Sequence, residues 1–156
     1  MIRIREAIIV EGRYDKNTLA QIVDAPILET SGFGIFHDRQ RLALLRRLAE
    51  TRGIIVLTDS DGAGFVIRNY LRGAIDPSQV KHAYIPDIAG KERRKRTASK
   101  EGKLGVEGMR PDVLLEALRR AGGLFYLLPR RLWARDTDIR QQRVIKQPDI
   151  LENNRN

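Results

Sequence analysis

Short apolar runs recur along the chain at residues 7–10 (AIIV), 26–30 (PILET), 54–59 (IIVLTD) and 81–86 (KHAYIP), and a helix-like pattern separates each run from the next. This alternation constrains the fold more than any other feature. The first run is β-branched and flanked by charges, as a buried strand requires. Residues 15–25 then carry Leu19, Ile22 and Val23 at the spacing of one helical face, and Leu42, Leu45 and Leu48 do the same over residues 39–50. Gly53 breaks that pattern, and residues 63–75 predict a third helix. Strands that alternate with helices over short connections dictate an α/β domain with a mainly parallel sheet of about four strands. Right-handed crossovers place helices on both faces, giving a three-layer α/β/α sandwich.

The texture changes near residue 90. Residues 90–103 (GKERRKRTASKEGK) hold seven basic and two acidic side chains and nothing apolar larger than alanine, which predicts a mobile loop or arm. Pro111 then opens a helix over 111–122 with Val113, Leu114 and Leu118 inward, closed by Gly122 and Gly123. Beyond Leu124 the periodicity fades. The expected organisation is one domain over residues 1–122 and a basic C-terminal tail over 123–156, partly disordered toward its end.

Bulk chemistry narrows the function classes. The chain has 29 Lys and Arg against 20 Asp and Glu, a formal net charge of +9, and a pI near 10.3. Such an excess favours polyanions, nucleic acid first and an acidic membrane surface second. The absence of cysteine excludes disulfides, cysteine nucleophiles and thiolate zinc sites, and suits a reducing cytoplasm. Neither a secretory signal nor a run near the about 20 apolar residues of a membrane helix is present, so a cytoplasmic location without membrane association is expected.

Against that basic background, acidic residues gather where chemistry is expected. In open α/β sheets ligands sit beyond the carboxyl ends of the strands. Glu11 follows the first strand, and Asp59 and Asp61 follow the third, in VLTDSDGAG. Strand alternation puts Asp59 and Asp61 on one side if the extended geometry persists. If the first and third strands lie close, all three carboxylates meet at one edge. Like charges that close raise each other's cost of ionisation. A hard divalent cation, Mg²⁺ or Mn²⁺, would offset it, with water and phosphate oxygens completing the shell. A lone D-x-D pair also occurs in turns, and Asp61 equally suits the N-cap of the next helix.

Glu11-Gly12-Arg13-Tyr14-Asp15 after one apolar strand, with Asp59-Ser60-Asp61-Gly62-Ala63-Gly64 after a later one, resembles the Toprim domain of bacterial primases, topoisomerases and certain nucleases. The resemblance implies that Glu11, Asp59 and Asp61 are both the catalytic and the Mg²⁺-binding carboxylates. VDAPILETSGFGIF, RGIIVLTDSDGAG, VKHAYIP and GKLGVEGMRPDVLLEAL are more narrowly similar to the ribonuclease M five family, which matures 5S ribosomal RNA, over residues 4–121. That family implies a Mg²⁺-dependent endoribonuclease acting on double-stranded precursor 5S rRNA, with a ribosomal protein as a further candidate partner. It also implies a C-terminal domain after the helix ending near Gly122, which residues 123–156 do not resemble. Double-stranded RNA is held mainly through phosphates and 2′-hydroxyls. The candidates for that grip are Arg13, Lys91, Arg93, Arg94, Lys95, Arg96, Lys100 and Lys103.

Three residues have supporting roles with alternatives. Gly12 serves a tight turn or the close approach of a phosphate. Asp15 either complements the dipole of the first helix or joins the site. Glu107, in GVEG, suits an outer ligand or a helix cap, with a structural or substrate-loop role favoured. His37 and His82 are expected to be structural, while Phe125, Tyr126 and Trp133 suit either core packing or base stacking. Two other functions compete. One is a Toprim module that binds nucleic acid without cutting it. The other is a primase- or topoisomerase-like activity on DNA, which needs zinc-binding cysteines or a tyrosine-bearing domain.

Overall fold

Every residue of the runs at 7–10 and 54–58 is buried, as a strand covered on both faces requires. The computed structural model describes residues 1–98 and 102–126. In chain order these form β1 (Ile2–Ile4), β2 (Ala7–Val10), α1 (Arg13–Ala20), β3 (Val23–Asp24), β4 (Ile27–Glu29), α2 (Arg39–Arg52) and β5 (Ile54–Thr58). They continue as α3 (Gly62–Ala74), β6 (Val80–Tyr84), α4 (Pro111–Arg120) and β7 (Phe125–Tyr126). The main sheet runs β4-β2-β5-β6 and all its neighbours are parallel. The expected α/β sandwich with four parallel strands is therefore the observed architecture.

Strand parity divides the core in two. Ile8, Val10, Ile55 and Leu57 point to the face covered by α1 and α4, where Leu19, Leu114 and Leu118 meet them. Ala7, Ile9, Ile54 and Val56 point to the other face, packing on Leu45 and Ala49 of α2 and Ile67 and Leu71 of α3. Asp38 caps α2 by accepting from the Arg41 N–H at 2.9 Å. Gly53 ends that helix at φ +77°, a conformation open to glycine, and releases the chain into β5.

Two features depart from the sequence reading. The first helix stops at Ala20 rather than 25, because Val23 leaves the helical face and pairs with Ile2 in a second, smaller sheet of order β3-β1-β7. Residues 125–126 are part of the same sheet, antiparallel to β1, so the folded region extends past residue 122. The junction is tied by Glu6, only 2% exposed. Its carboxylate accepts from the Leu124 N–H at 3.0 Å and pairs with the Lys81 ammonium, which also donates to the Gly122 carbonyl at 2.6 Å. The tail from residue 127, with Trp133, lies outside the described residues. Among the described residues no helix is long and apolar enough to cross a membrane.

Candidate active site

The strand order carries a reversal. From β2 the chain moves to β4 on one side, then returns through α2 to β5 on the other, so the crossovers diverge at the β2–β5 pair. Crevices beyond the carboxyl ends at such switch points are the usual ligand sites of open α/β sheets. β2 delivers Glu11 there, and β5 delivers Asp59 and Asp61; the two strands are direct neighbours, with Ile8 opposite Ile55 and Ile9 opposite Val56.

Each carboxylate is held locally. Asp59 Oδ1 accepts from the Val106 N–H at 2.7 Å. Asp61 Oδ1 accepts from the Gly64 N–H at 2.8 Å, so Asp61 does cap α3, as its sequence context allowed. Asp15 Oδ2 accepts from the Gly12 N–H at 3.1 Å and closes the first turn of α1. Among the described residues no hydrogen bond engages the second carboxylate oxygen of Asp59 or Asp61. Two glycines make this approach possible. A Cβ on Gly64 would sink into the Asp59 backbone carbonyl and lie 2.8 Å from Thr58 Oγ1, while one on Gly105 would overlap the Asp59 carboxylate.

The electrostatics record the crowding. Burial, then Asp61, Asp59 and Asp15, push the Glu11 carboxyl up to about 7, with Lys95 opposing. Burial and then Asp59 raise Asp15 to about 6, with the Gly12 N–H opposing. Asp59 is raised by burial and by Asp61, against the Val106 N–H and Lys95. Among the described residues no three His, Cys, Asp or Glu side chains stand gathered as a metal cage. The donors are nevertheless hard oxygens at mutually repelling carboxylates with sparse cationic relief. That chemistry fits a cation such as Mg²⁺, which takes one or two carboxylates and fills its octahedron with water and substrate oxygens.

Two clefts flank Asp59. One, of about 180 Å³, is lined by Glu11, Gly12, Tyr14, Asp15, Arg94, Glu107 and their neighbours. The other, of about 460 Å³, runs past Asp61, Gly62, Pro86, Asp87 and Lys103. Asp59, Glu92 and Lys95 line both. The predicted basic residues thus separate. Lys95 stands inside the site and Lys103 on its rim, paired with Asp87 at 3.0 Å. Arg94 stacks on Tyr14, 3.8 Å from the ring centre, and grips Glu107 through two hydrogen bonds of 3.1 and 3.2 Å. Glu107 therefore anchors Arg94 rather than capping α4, whose N-cap is Arg110. Arg13, Arg93 and Arg96 are exposed and line neither cleft, and Lys91 donates to the Arg96 carbonyl at 3.1 Å. Lys100 lies outside the described residues.

The basic segment is fastened at its neck, where Gly90 N–H donates to the Gly102 carbonyl at 3.0 Å and Leu104 N–H to the Ile88 carbonyl at 2.7 Å. Sequence reasoning missed four residues that shape the site. Gly105 and Val106 follow the basic loop, and Glu92 is 3% exposed inside it. Arg68 is also 3% exposed and donates to the carbonyls of Val56, Thr58 and Ala83 and to His82 Nδ1, joining the ends of β5 and β6 beneath the D-x-D turn. His82 accordingly has a structural part. The signal for Arg68 was present, since it sits on the inward side of α3 beside Ile67 and one turn from Gly64 and Leu71.

Residues 6–88, from Glu6 just before β2 to the segment after β6, match the Toprim domain. The chain belongs to the Toprim domain family. Curated relatives of this Toprim protein include Ribonuclease M5 from Clostridium botulinum, 37% identical over 118 residues, which are 76% of this chain and 59% of the relative. Ribonuclease M5 from Lactiplantibacillus plantarum is 40% identical, over 76% of the chain and 58% of the relative. For the Staphylococcus aureus protein the identity is 36%, over 80% and 64%. The chain thus spans about three-fifths of the length of the curated relatives it matches. A small Toprim domain protein from Bacillus stearothermophilus has a similar solved structure, with a TM-score of 0.55 and 26% identity over 81% of this chain and 96% of that one. The Toprim match ends before Glu92, Lys95 and Gly105, so residues beyond it help to line the clefts around Asp59.

Proposed function

We propose that the chain is a metal-dependent endoribonuclease that cuts structured, double-stranded RNA, with precursor 5S rRNA as substrate. The observation that carries this reading is that the neighbouring strands β2 and β5 end at Glu11 and at Asp59 and Asp61, beside two clefts that share Asp59 and Lys95. The similarity to Ribonuclease M5 proteins supports RNA as the polyanion. A ribosomal protein on the same RNA is the companion proposed, and the cysteine-free composition suits a cytoplasmic setting.

Glu11, Asp59 and Asp61 would hold the cation, Mg²⁺ first and Mn²⁺ as a substitute. When bound, such an ion neutralises phosphate charge and makes water a better nucleophile near neutral pH. The protein's own residues do the rest. Glu11 serves either as one of these ligands or as the group that takes or gives a proton; its value near 7 belongs to the cation-free site, and a bound cation would lower it. Asp15 and Gly12 fix the turn that presents Glu11, and the Val106 N–H fixes Asp59. Arg13, Arg93, Arg96 and Lys91 meet phosphates along the duplex, which positions RNA by shape rather than by base identity.

Incubation with a 5S rRNA precursor and Mg²⁺, beside Asp59→Ala and Asp61→Ala chains, tests this. Discrete cleavage by the wild type is expected, with losses beyond about a hundredfold in the variants, since even outer-shell changes at metal sites cost 10–100-fold. Binding retained in all three without cleavage would instead support a Toprim module that only binds RNA.

A further inference from the structure

Of the eight basic residues assigned to RNA contact, Lys95 alone among the described ones lines both clefts. The others are engaged or placed elsewhere: Arg94 by Glu107 and Tyr14, Lys103 at Asp87, Lys91 on a backbone carbonyl, and Arg13, Arg93 and Arg96 outside both clefts. Lys95 is also anchored in an unusual way. Its ammonium lies 3.2 Å from Oε2 of Glu92, whose side chain is 3% exposed. Oε1 of Glu92 accepts from the Gly105 N–H at 3.0 Å. Gly108 packs so tightly that a Cβ there would lie 3.2 Å from Glu92 Cγ. The loop that carries both residues turns on a Lys95 N–H to Glu92 carbonyl bond of 3.0 Å.

Burying a carboxylate is costly unless it is paired and hydrogen-bonded. Here the cost fixes one cation at the place where the clefts join, beside Asp59. A phosphodiester threaded from one cleft to the other passes that point with its reacting phosphate against the carboxylates. A preorganised ammonium there stabilises charge that grows on the non-bridging oxygens, which is worth more in the transition state than in the ground state. We propose that Lys95 is a catalytic residue that contacts a non-bridging oxygen of the scissile phosphate, and that Glu92 is its positioning residue. This rests on the ribonuclease reading above.

The test uses the full chain and a precursor RNA whose cut has been mapped. With Mg²⁺, K95M is expected to lose about a hundredfold in kcat, comparable to removing one oxyanion donor elsewhere, with a smaller rise in KM. In Ca²⁺, without turnover, wild type and K95M are compared on RNA bearing either the normal phosphate or an uncharged methylphosphonate at the cut. The affinity lost in K95M should vanish on the methylphosphonate RNA, and K95R should recover binding to the normal one. E92Q should lower kcat less than K95M and add nothing in the K95M background. Equal affinity loss on both RNAs, or an unchanged kcat in K95M, would show that Lys95 only grips the duplex or fastens the loop, and would overturn the proposal alone. No cleavage by the wild type would overturn the ribonuclease reading and this inference with it.

Discussion

At the scale of single residues, the site is a store of unfavourable charge. Glu11 and Asp15 titrate near about 7 and about 6, against ordinary values of 4.5 and 3.8. Between those limits the folded chain keeps protons that the unfolded chain has lost, so the stability contributed by these groups is present at low pH and is lost as pH rises through 6–7. A cation at the carboxylates favours their ionised form and reverses the trend. Thermal unfolding should therefore show that Mg²⁺ raises the midpoint more at about pH 8 than at about pH 5, and that Glu11→Gln flattens this difference. Equal shifts at both pH values would mean that the ion binds elsewhere. The places of Glu11, Asp59 and Asp61 beyond the ends of β2 and β5 were readable in the chain because each follows an apolar run. Glu92 was not, because nothing in a basic loop marks one carboxylate as interior.

Elements show the same division. The four strands of the main sheet and the last three helices were legible, since each carries a run or periodicity long enough to identify. β1, β3 and β7 hold three, two and two residues, too few for any period, and exist only because they pair with one another. Close packing between elements was hidden too, because a glycine in a motif does not reveal what lies against it. Gly64 lets the start of α3 press on the Asp59 backbone, so Gly64→Ala should destabilise the fold by about 1–3 kcal/mol, although alanine is the better helix former. Denaturant midpoints would measure it, and a neutral or stabilising result would deny the close approach. At Gly105 the three atoms nearest an added Cβ all belong to the Asp59 carboxylate. Gly105→Ala should leave the midpoint nearly unchanged yet weaken Mg²⁺ binding by about 10–100-fold, as altered support of a metal ligand does. Titration calorimetry checks this, and unchanged affinity would remove Gly105 from the site.

For the molecule as a whole, the acidic centre sits within a strongly basic body, and the two ends of the fold are joined behind it. Glu6 links the exit of β1, the Lys81 ammonium of β6 and the chain after α4. Glu6→Ala strands the Leu124 N–H and should lower stability by about 1–3 kcal/mol. Amide exchange at Leu124 should quicken with it; unaltered exchange would make the contact incidental. The pairing of β1 with β7 also sets a timetable. The second strand to be made can meet both its neighbours in the main sheet once β5 has emerged, whereas the first pairs early with β3 but must wait for its other neighbour until residue 126 is synthesised. During translation the amino terminus is thus the last part to find its antiparallel partner. A growing chain stalled before Leu124 would lack the strand that covers the outer edge of β1, and its earliest residues would stay open to a protease on that side.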